Sequence, residues 1–191
     1  MKPNIKLFQE APLSDYILIV TGVLSDEQCD RFLQASQDSA DWNPVGSESN
    51  STDPALRNCD TLDISLLREQ SPWALLDSDI YKAVETCIRT YRLKFPMFTA
   101  GADTGYEMLR YPTGTRCNYH SDSRDFRPRT LSCSIAINDD YKGGEFEFFH
   151  GEKTYRVPKG SAIVFPSNFM YPHAVLPITE GTRYSIITWL V

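Results

Sequence analysis

The chain has 191 residues, a length that fits one domain with a sizeable core. It has 19 basic and 25 acidic residues. The resulting net charge of −6 argues against binding of nucleic acid over a broad surface. Five cysteines without a CxxC pair disfavour a disulfide framework and a cysteine zinc site, so we expect reduced thiols.

The N-terminal part predicts a strand followed by a helix. The apolar run at 16–20 is too short for a signal peptide or a membrane span, and it predicts an opening strand in a cytoplasmic protein without a membrane partner. Ser25 and Gln28 have the spacing of a capping box, which predicts a helix from about 25 to 40.

A loop and a second helix follow. Segment 43–60 holds two prolines and many small polar residues, so we expect a loop that could act as a lid. Apolar residues then recur at intervals of three and four, which predicts a helix from near Asp77 to a point before Pro96.

From about residue 104 the pattern predicts short strands separated by turns. About eight antiparallel strands at this spacing indicate a jelly roll or small barrel whose mouth can hold a ligand, with the helices packed on one outer face. We therefore expect one domain over 1–191, mainly β with flanking α-helices. The strands are predicted at 105–111, 115–122, 130–137, 145–149, 153–157, 161–165, 172–176 and 182–190.

Three residues on these strands have metal-ligand chemistry. His120 and Asp122 are two apart, so on one strand their side chains point the same way, and a later strand brings in His173. Two imidazoles and one carboxylate leave about half of an octahedral shell open, as in non-haem Fe(II) oxygenases. His150 lies in a predicted hairpin turn, where we expect a solvated side chain, and is excluded.

Arg183 and Ser185 lie two apart on the last predicted strand, and with Ile187 and Trp189 they are expected to face the interior. A buried guanidinium needs an anionic partner. One possible partner is a core carboxylate in a structural salt bridge. The other is a dicarboxylate cosubstrate, held at its far end by Arg183 and Ser185 while its keto acid end chelates the metal.

The C-terminal half resembles the 2-oxoglutarate and Fe(II)-dependent oxygenases of the prolyl 4-hydroxylase type. The resemblance covers roughly 104–191 and rests on the motifs RYPTGTRCNYHSD, GGEFEFF, YPHAV and TRYSIITW. It implies a cupin-like double-stranded β-helix over 104–191, on which residues 1–103 pack. It also implies that Fe(II) is held by His120, Asp122 and His173, and that the cosubstrate is held by Arg183 and Tyr111.

The resemblance further implies a reaction. Oxidative decarboxylation of 2-oxoglutarate with O2 would yield succinate and CO2 and hydroxylate a substrate C–H bond, while ascorbate would restore Fe(II). Peptidyl proline in a peptide or protein is the leading substrate. A free amino acid or other small molecule is an alternative substrate for the same chemistry, and a non-catalytic metal-binding cupin-like module is an alternative of another class.

Two residues depart from the family pattern. Cys117 stands where relatives carry an aromatic residue three positions before the first histidine, and Ala136 stands where some carry a cosubstrate-binding tyrosine. We expect a wider or differently hydrogen-bonded pocket at these two positions.

Substrate capture is expected on the two loops 43–60 and 123–129, because binding residues tend to lie on loops over a rigid scaffold. The second loop contains three arginines, which form either a solvated basic turn or a surface that steers an acidic or peptide substrate. Three aromatic residues either line the entrance or close the core. The arginines are Arg124, Arg127 and Arg129, and the aromatic residues are Trp42, Tyr106 and Tyr141.

Overall fold

The computed structural model describes residues 12–44, 53, 56–123 and 128–191. The helices are α1 (Asp26–Asp38), α2 (Ile64–Leu67) and α3 (Trp73–Lys94), and 3₁₀ turns lie at Leu13–Tyr16 and Phe149–Gly151. The strands are β1 (Leu18–Val20), β2 (Asp60–Asp63), β3 (Glu107–Pro112), β4 (Cys117–His120), β5 (Leu131–Ala136), β6 (Lys142–Gly143), β7 (Phe146–Phe148), β8 (Lys153–Tyr155), β9 (Ala162–Pro166), β10 (His173–Val175), β11 (Ile178–Glu180) and β12 (Thr182–Leu190).

The strands form two main sheets and a small pair. Six strands make the larger sheet in the order β1, β9, β5, β12, β3, β2, and four make the smaller sheet in the order β4, β10, β7, β8. Strands β6 and β11 pair separately. All of these pairings are antiparallel, which confirms the predicted mainly β architecture.

The two faces of the larger sheet bury different clusters. One face packs with α1 and α3, and its cluster includes Cys133 and Ile135 of β5 with Ile80 and Val84 of α3. The other face shares a second cluster with the smaller sheet, in which Phe146 and Phe148 of β7 take part. The predicted packing of the helices on one outer face is therefore confirmed, and the space between the sheets is left for a site.

Helix α1 begins as predicted. The Gln28 backbone N–H donates to Ser25 Oγ at 3.2 Å, and the Ser25 N–H donates to Gln28 Oε1 at 2.8 Å. This reciprocal capping box satisfies two backbone donors that the first turn leaves without helical partners.

Several predicted boundaries differ from the structure by one to four residues, and those of α3, β4 and β10 have a clear physical reason or bear on the site. Helix α3 begins at Trp73 rather than near Asp77, because the buried side chains of Trp73 and Leu76 extend its apolar stripe by one turn. Strand β4 ends at His120, so Asp122 lies beyond it and not on it. The partner strand β10 begins at His173, opposite His120, and the preceding Pro172 has no N–H with which to continue the ladder.

Four short elements were not predicted, namely β2, α2, β6 and β11, because two to four residues carry no readable periodicity. The predicted loops 43–60 and 123–129 lie partly outside the described residues, and so do Arg124 and Arg127. Among the residues that are described, no helix is long and apolar enough to cross a bilayer.

Candidate active site

The three predicted metal ligands converge between the sheets. His120 and His173 are directly opposite each other in the pairing of β4 with β10. The Asp122 carboxylate contacts both rings, with Oδ1 at 3.3 Å from His120 Nε2 and Oδ2 at 3.6 Å from His173 Nε2. One ligand atom from each residue lies within 4.8 Å of the others, and the described part of the chain contains no other group of this kind.

Backbone carbonyls orient both imidazoles. His120 Nδ1 lies 2.9 Å from the Asn118 carbonyl oxygen, and His173 Nδ1 lies 3.1 Å from the Tyr171 carbonyl oxygen. A carbonyl oxygen only accepts, so each ring donates from Nδ1 and, when neutral, keeps the Nε2 lone pair directed at the cluster. This is the arrangement that a metal-binding histidine requires.

Asp122 is held as an anion. It is buried, with 7% of its surface exposed, and Ser132 Oγ donates to its Oδ2 at 2.6 Å. Burial alone raises the pKa of this carboxyl, but His173, His120 and the Ser132 hydroxyl outweigh burial and hold the pKa below its ordinary value. One carboxylate with two imidazole nitrogens suits a divalent cation with room for further ligands.

A cavity of about 60 Å³ is lined by all six predicted site residues. Its lining includes the three metal-ligand candidates and also Tyr111, Arg183 and Ser185. Among the lining residues that the sequence did not single out are three with polar side chains, namely Arg57, Ser132 and Ser134. A larger groove of about 710 Å³ lies beside α3 and contains none of these side chains.

Arg183 brings a buried cation to this cavity. It is 3% exposed, and its Nη1 donates to Ser185 Oγ at 2.9 Å. Among the described residues, no carboxylate lies within the 4.0 Å of an ion pair with it. The structural salt bridge left open by the sequence is therefore not formed there. A buried guanidinium facing a cavity favours an anionic ligand.

Tyr111 is the direct neighbour of Arg183 in the pairing of β3 with β12. The Arg183 guanidinium carbon lies 5.4 Å from the centre of the Tyr111 ring. Burial raises the pKa of Tyr111 well above its ordinary value, and the adjacent Cys59 and Cys117 raise it further. The phenol is therefore neutral and can donate a hydrogen bond, as the resemblance implies.

The two departures from the family pattern both lie close to these residues. Cys117 lines the cavity, and its Sγ is 3.6 Å from His120 Nδ1. Ala136 is buried opposite Ser185 in the pairing of β5 with β12. Arg57 pairs with Cys117 in an isolated bridge and adds a second guanidinium to the lining, at the end of the segment predicted as a lid.

The three aromatic residues left open by the sequence serve the packing. Trp42 donates its indole N–H to the Ser36 carbonyl oxygen at 2.8 Å, and Tyr106 donates to Asp103 Oδ2 at 2.9 Å. Tyr141 is buried in the cluster between the sheets, and none of the three lines the cavity.

Arg129 and His150 have different positions relative to the cavity. Arg129 stacks on Trp189, with its guanidinium carbon 3.5 Å from the ring centre, and its Nη1 donates to the Asp122 carbonyl oxygen at 3.2 Å. Trp189 lines the cavity, so Arg129 lies at its edge. His150 is exposed and outside the cluster, as predicted.

Comparisons with known proteins agree with this geometry. Residues 106–191 match the family model of the 2OG-Fe(II) oxygenase superfamily. A PKHD-type hydroxylase of Rippkaea orientalis is 34% identical over 90 residues, which are 42% of this chain and 40% of the relative. The match thus spans less than half the length of that curated relative.

Solved structures show the same fold. A prolyl hydroxylase of Trichoplax adhaerens, in complex with a hypoxia inducible factor peptide fragment, aligns with a TM-score of 0.75 at 15% identity over 93% of this chain and 84% of that one. A prolyl-4-hydroxylase of Pseudomonas putida aligns with a TM-score of 0.68 at 19% identity over 92% and 91%. The predicted double-stranded β-helix is confirmed. The resemblance of the C-terminal half to the 2OG-Fe(II) oxygenases of the prolyl 4-hydroxylase type is therefore confirmed.

Proposed function

We propose that this protein is a 2-oxoglutarate- and Fe(II)-dependent dioxygenase that hydroxylates a substrate C–H bond and releases succinate and CO2. One observation carries the proposal: the same cavity is lined by a three-ligand cluster and by a buried arginine that has no carboxylate partner among the described residues. A non-catalytic metal module would need the cluster but not the buried cation, so the combination favours the enzyme.

The residues have distinct roles in this proposal. His120, Asp122 and His173 hold Fe(II), which when bound supplies the activation of O2 coupled to decarboxylation of the cosubstrate. Arg183 and Ser185 bind the distal carboxylate of 2-oxoglutarate, and Tyr111 donates a hydrogen bond to the cosubstrate. Because the cavity is small and lies between two sheets, it separates the reacting groups from bulk water.

Peptidyl proline is the substrate that we propose, with a peptide or protein as the partner and ascorbate as the reductant that restores Fe(II). The prolyl hydroxylase of T. adhaerens, whose fold is shared, is in complex with a peptide, which supports an extended substrate at this cavity mouth. We also propose that 1–191 act as one domain, since α1 and α3 pack on the larger sheet. The location that we propose for it is the cytoplasm. A free amino acid or other small molecule is the competing substrate.

Succinate formation tests the proposal. Purified protein is supplied with Fe(II), 2-oxoglutarate, ascorbate and proline-containing peptides, with His173→Ala as the control. Peptide-stimulated succinate, absent from the variant, is the expected result. Slow succinate that no peptide stimulates would redirect the substrate to small molecules, and succinate at the level of the variant would favour the metal-binding module.

A further inference from the structure

One hydroxyl on the cavity wall has no hydrogen-bond partner among the described residues. Ser134 Oγ is buried and unpaired, and the residue is 5% exposed. Ser134 belongs to the lining of the cavity that contains the metal-ligand cluster and Arg183. Removing a hydroxyl from water without a new hydrogen bond is costly, so buried polar groups are nearly always paired. The position of the Ser134 hydroxyl in the cavity wall indicates that a bound ligand supplies its hydrogen-bond partner.

The strand geometry directs this hydroxyl inward. Side chains of β5 alternate, so Cys133 and Ile135 pack with the helices while Ser134 faces the opposite side. Across the sheet, Ser134 lies opposite Ile187 of β12 and Ile163 of β9. These flanking side chains are apolar and offer no competing acceptor.

The register places Ser134 between the two functional ends of the cavity. Ser132, two residues earlier on β5, is hydrogen-bonded to Asp122 at the metal end. Ser185, opposite the residue two positions after Ser134, is hydrogen-bonded to Arg183. Two residues of a strand span about 6.4–6.8 Å, so Ser134 lies roughly one such step from each end.

We propose that the Ser134 hydroxyl donates a hydrogen bond to the keto acid end of 2-oxoglutarate and so acts as a positioning residue for the cosubstrate. The inference rests on the proposed function. The distal carboxylate already has Arg183 and Ser185 as donors, and the two methylene groups of the ligand have no acceptor. The keto and carboxylate oxygens beside the metal are therefore the acceptors that remain for Ser134.

The same sheet offers a matched control. Thr188 Oγ1 is also buried and unpaired within the described chain, and the residue is 2% exposed. Thr188 lies opposite Cys133 on the helix-facing side and does not line the cavity. A general effect of deleting a buried hydroxyl would occur at both positions, whereas a ligand contact would be lost only at Ser134.

Calorimetric titration of 2-oxoglutarate into the full chain loaded with Mn(II), which binds without turnover, is the test. We expect Ser134→Ala to weaken binding about tenfold, the value of one hydrogen bond to a charged ligand. Ser134→Cys, with a weaker donor of similar size, should be intermediate, and Thr188→Val should bind like the wild type. Thermal unfolding of ligand-free Ser134→Ala should occur at an unchanged or higher temperature, because no protein hydrogen bond is lost.

The outcomes separate this inference from the proposed function. Equal affinity of wild type and Ser134→Ala, together with weak binding by Arg183→Ala, would overturn the role of Ser134 and leave the dioxygenase in place. A lower unfolding temperature for ligand-free Ser134→Ala, with a similar loss of affinity in Thr188→Val, would make Ser134 a structural residue. Failure of the wild type to bind 2-oxoglutarate would overturn the proposed function itself.

Discussion

The metal end and the arginine end of the cavity differ in how far the protein completes them. At the metal end, both histidine Nδ1 atoms and one Asp122 oxygen have protein partners. At the other end, the Arg183 guanidinium has Ser185 as its hydrogen-bond partner and no carboxylate among the described residues. The metal end is therefore preorganised, while the arginine end keeps a buried positive charge that an anionic ligand would neutralise.

Loss of His173 should have the largest effect. We expect His173→Ala to lower the affinity for Fe(II) or Mn(II) by more than about 100-fold and to abolish succinate formation, because it removes a ligand and not merely an orienting contact. Metal titration followed by a succinate assay measures both effects. His150→Ala is the matched control, since this histidine is exposed and outside the cluster. Normal turnover by His173→Ala would mean that the cluster is not the catalytic centre.

Loss of Arg183 should weaken cosubstrate binding at the opposite end of the cavity and leave metal binding unchanged. We expect Arg183→Ala to raise the apparent KM for 2-oxoglutarate about 10- to 100-fold, because charge-assisted hydrogen bonds to the distal carboxylate are lost. Arg183→Lys should be intermediate, since it keeps the charge without the planar pair of donors. Steady-state kinetics at saturating Fe(II) measures the change, with Arg31→Ala, at a surface ion pair, as control. An unchanged KM in Arg183→Ala would assign this residue to the fold.

Substitution of Ser132 tests whether the metal end and the arginine end of the cavity act independently. Ser132→Ala removes the 2.6 Å hydrogen bond to Asp122 and should lower metal affinity about tenfold, because the carboxylate is no longer oriented. The affinity of the metal-loaded variant for 2-oxoglutarate should change little. Ser134→Ala, on the same face of β5, should show the reverse pattern. If both serines altered metal and cosubstrate binding equally, the two ends would act as one unit.

Local patterns in the sequence explain which parts of the site were predictable. His120 and His173 were found because their chemistry and strand positions are readable from short motifs. Ser132 and Ser134 alternate with apolar residues in the 131–136 segment, which indicates that they share one face. Their roles depend on long-range contacts: Asp122 is brought to Ser132 by the turn after β4, and Arg57 reaches the cavity through a bridge to Cys117. Such contacts have no local signature.

The smallest expected effect comes from a change in α1, far from both ends of the cavity. It shows how much a loss of overall stability alone alters the affinities for metal and 2-oxoglutarate. Ser25→Ala removes one half of the α1 capping box and should lower the free energy of unfolding by about 0.5–2 kcal/mol. Chemical denaturation measures this loss, and Ser14→Ala, inside the 3₁₀ turn Leu13–Tyr16 and not at its N-cap, is the control. Metal and 2-oxoglutarate affinities should stay at wild-type values, because α1 packs on the far face of the larger sheet. A parallel loss of either affinity in Ser25→Ala would show that the cavity responds to global stability, and the losses in the other variants would then need correction by that amount.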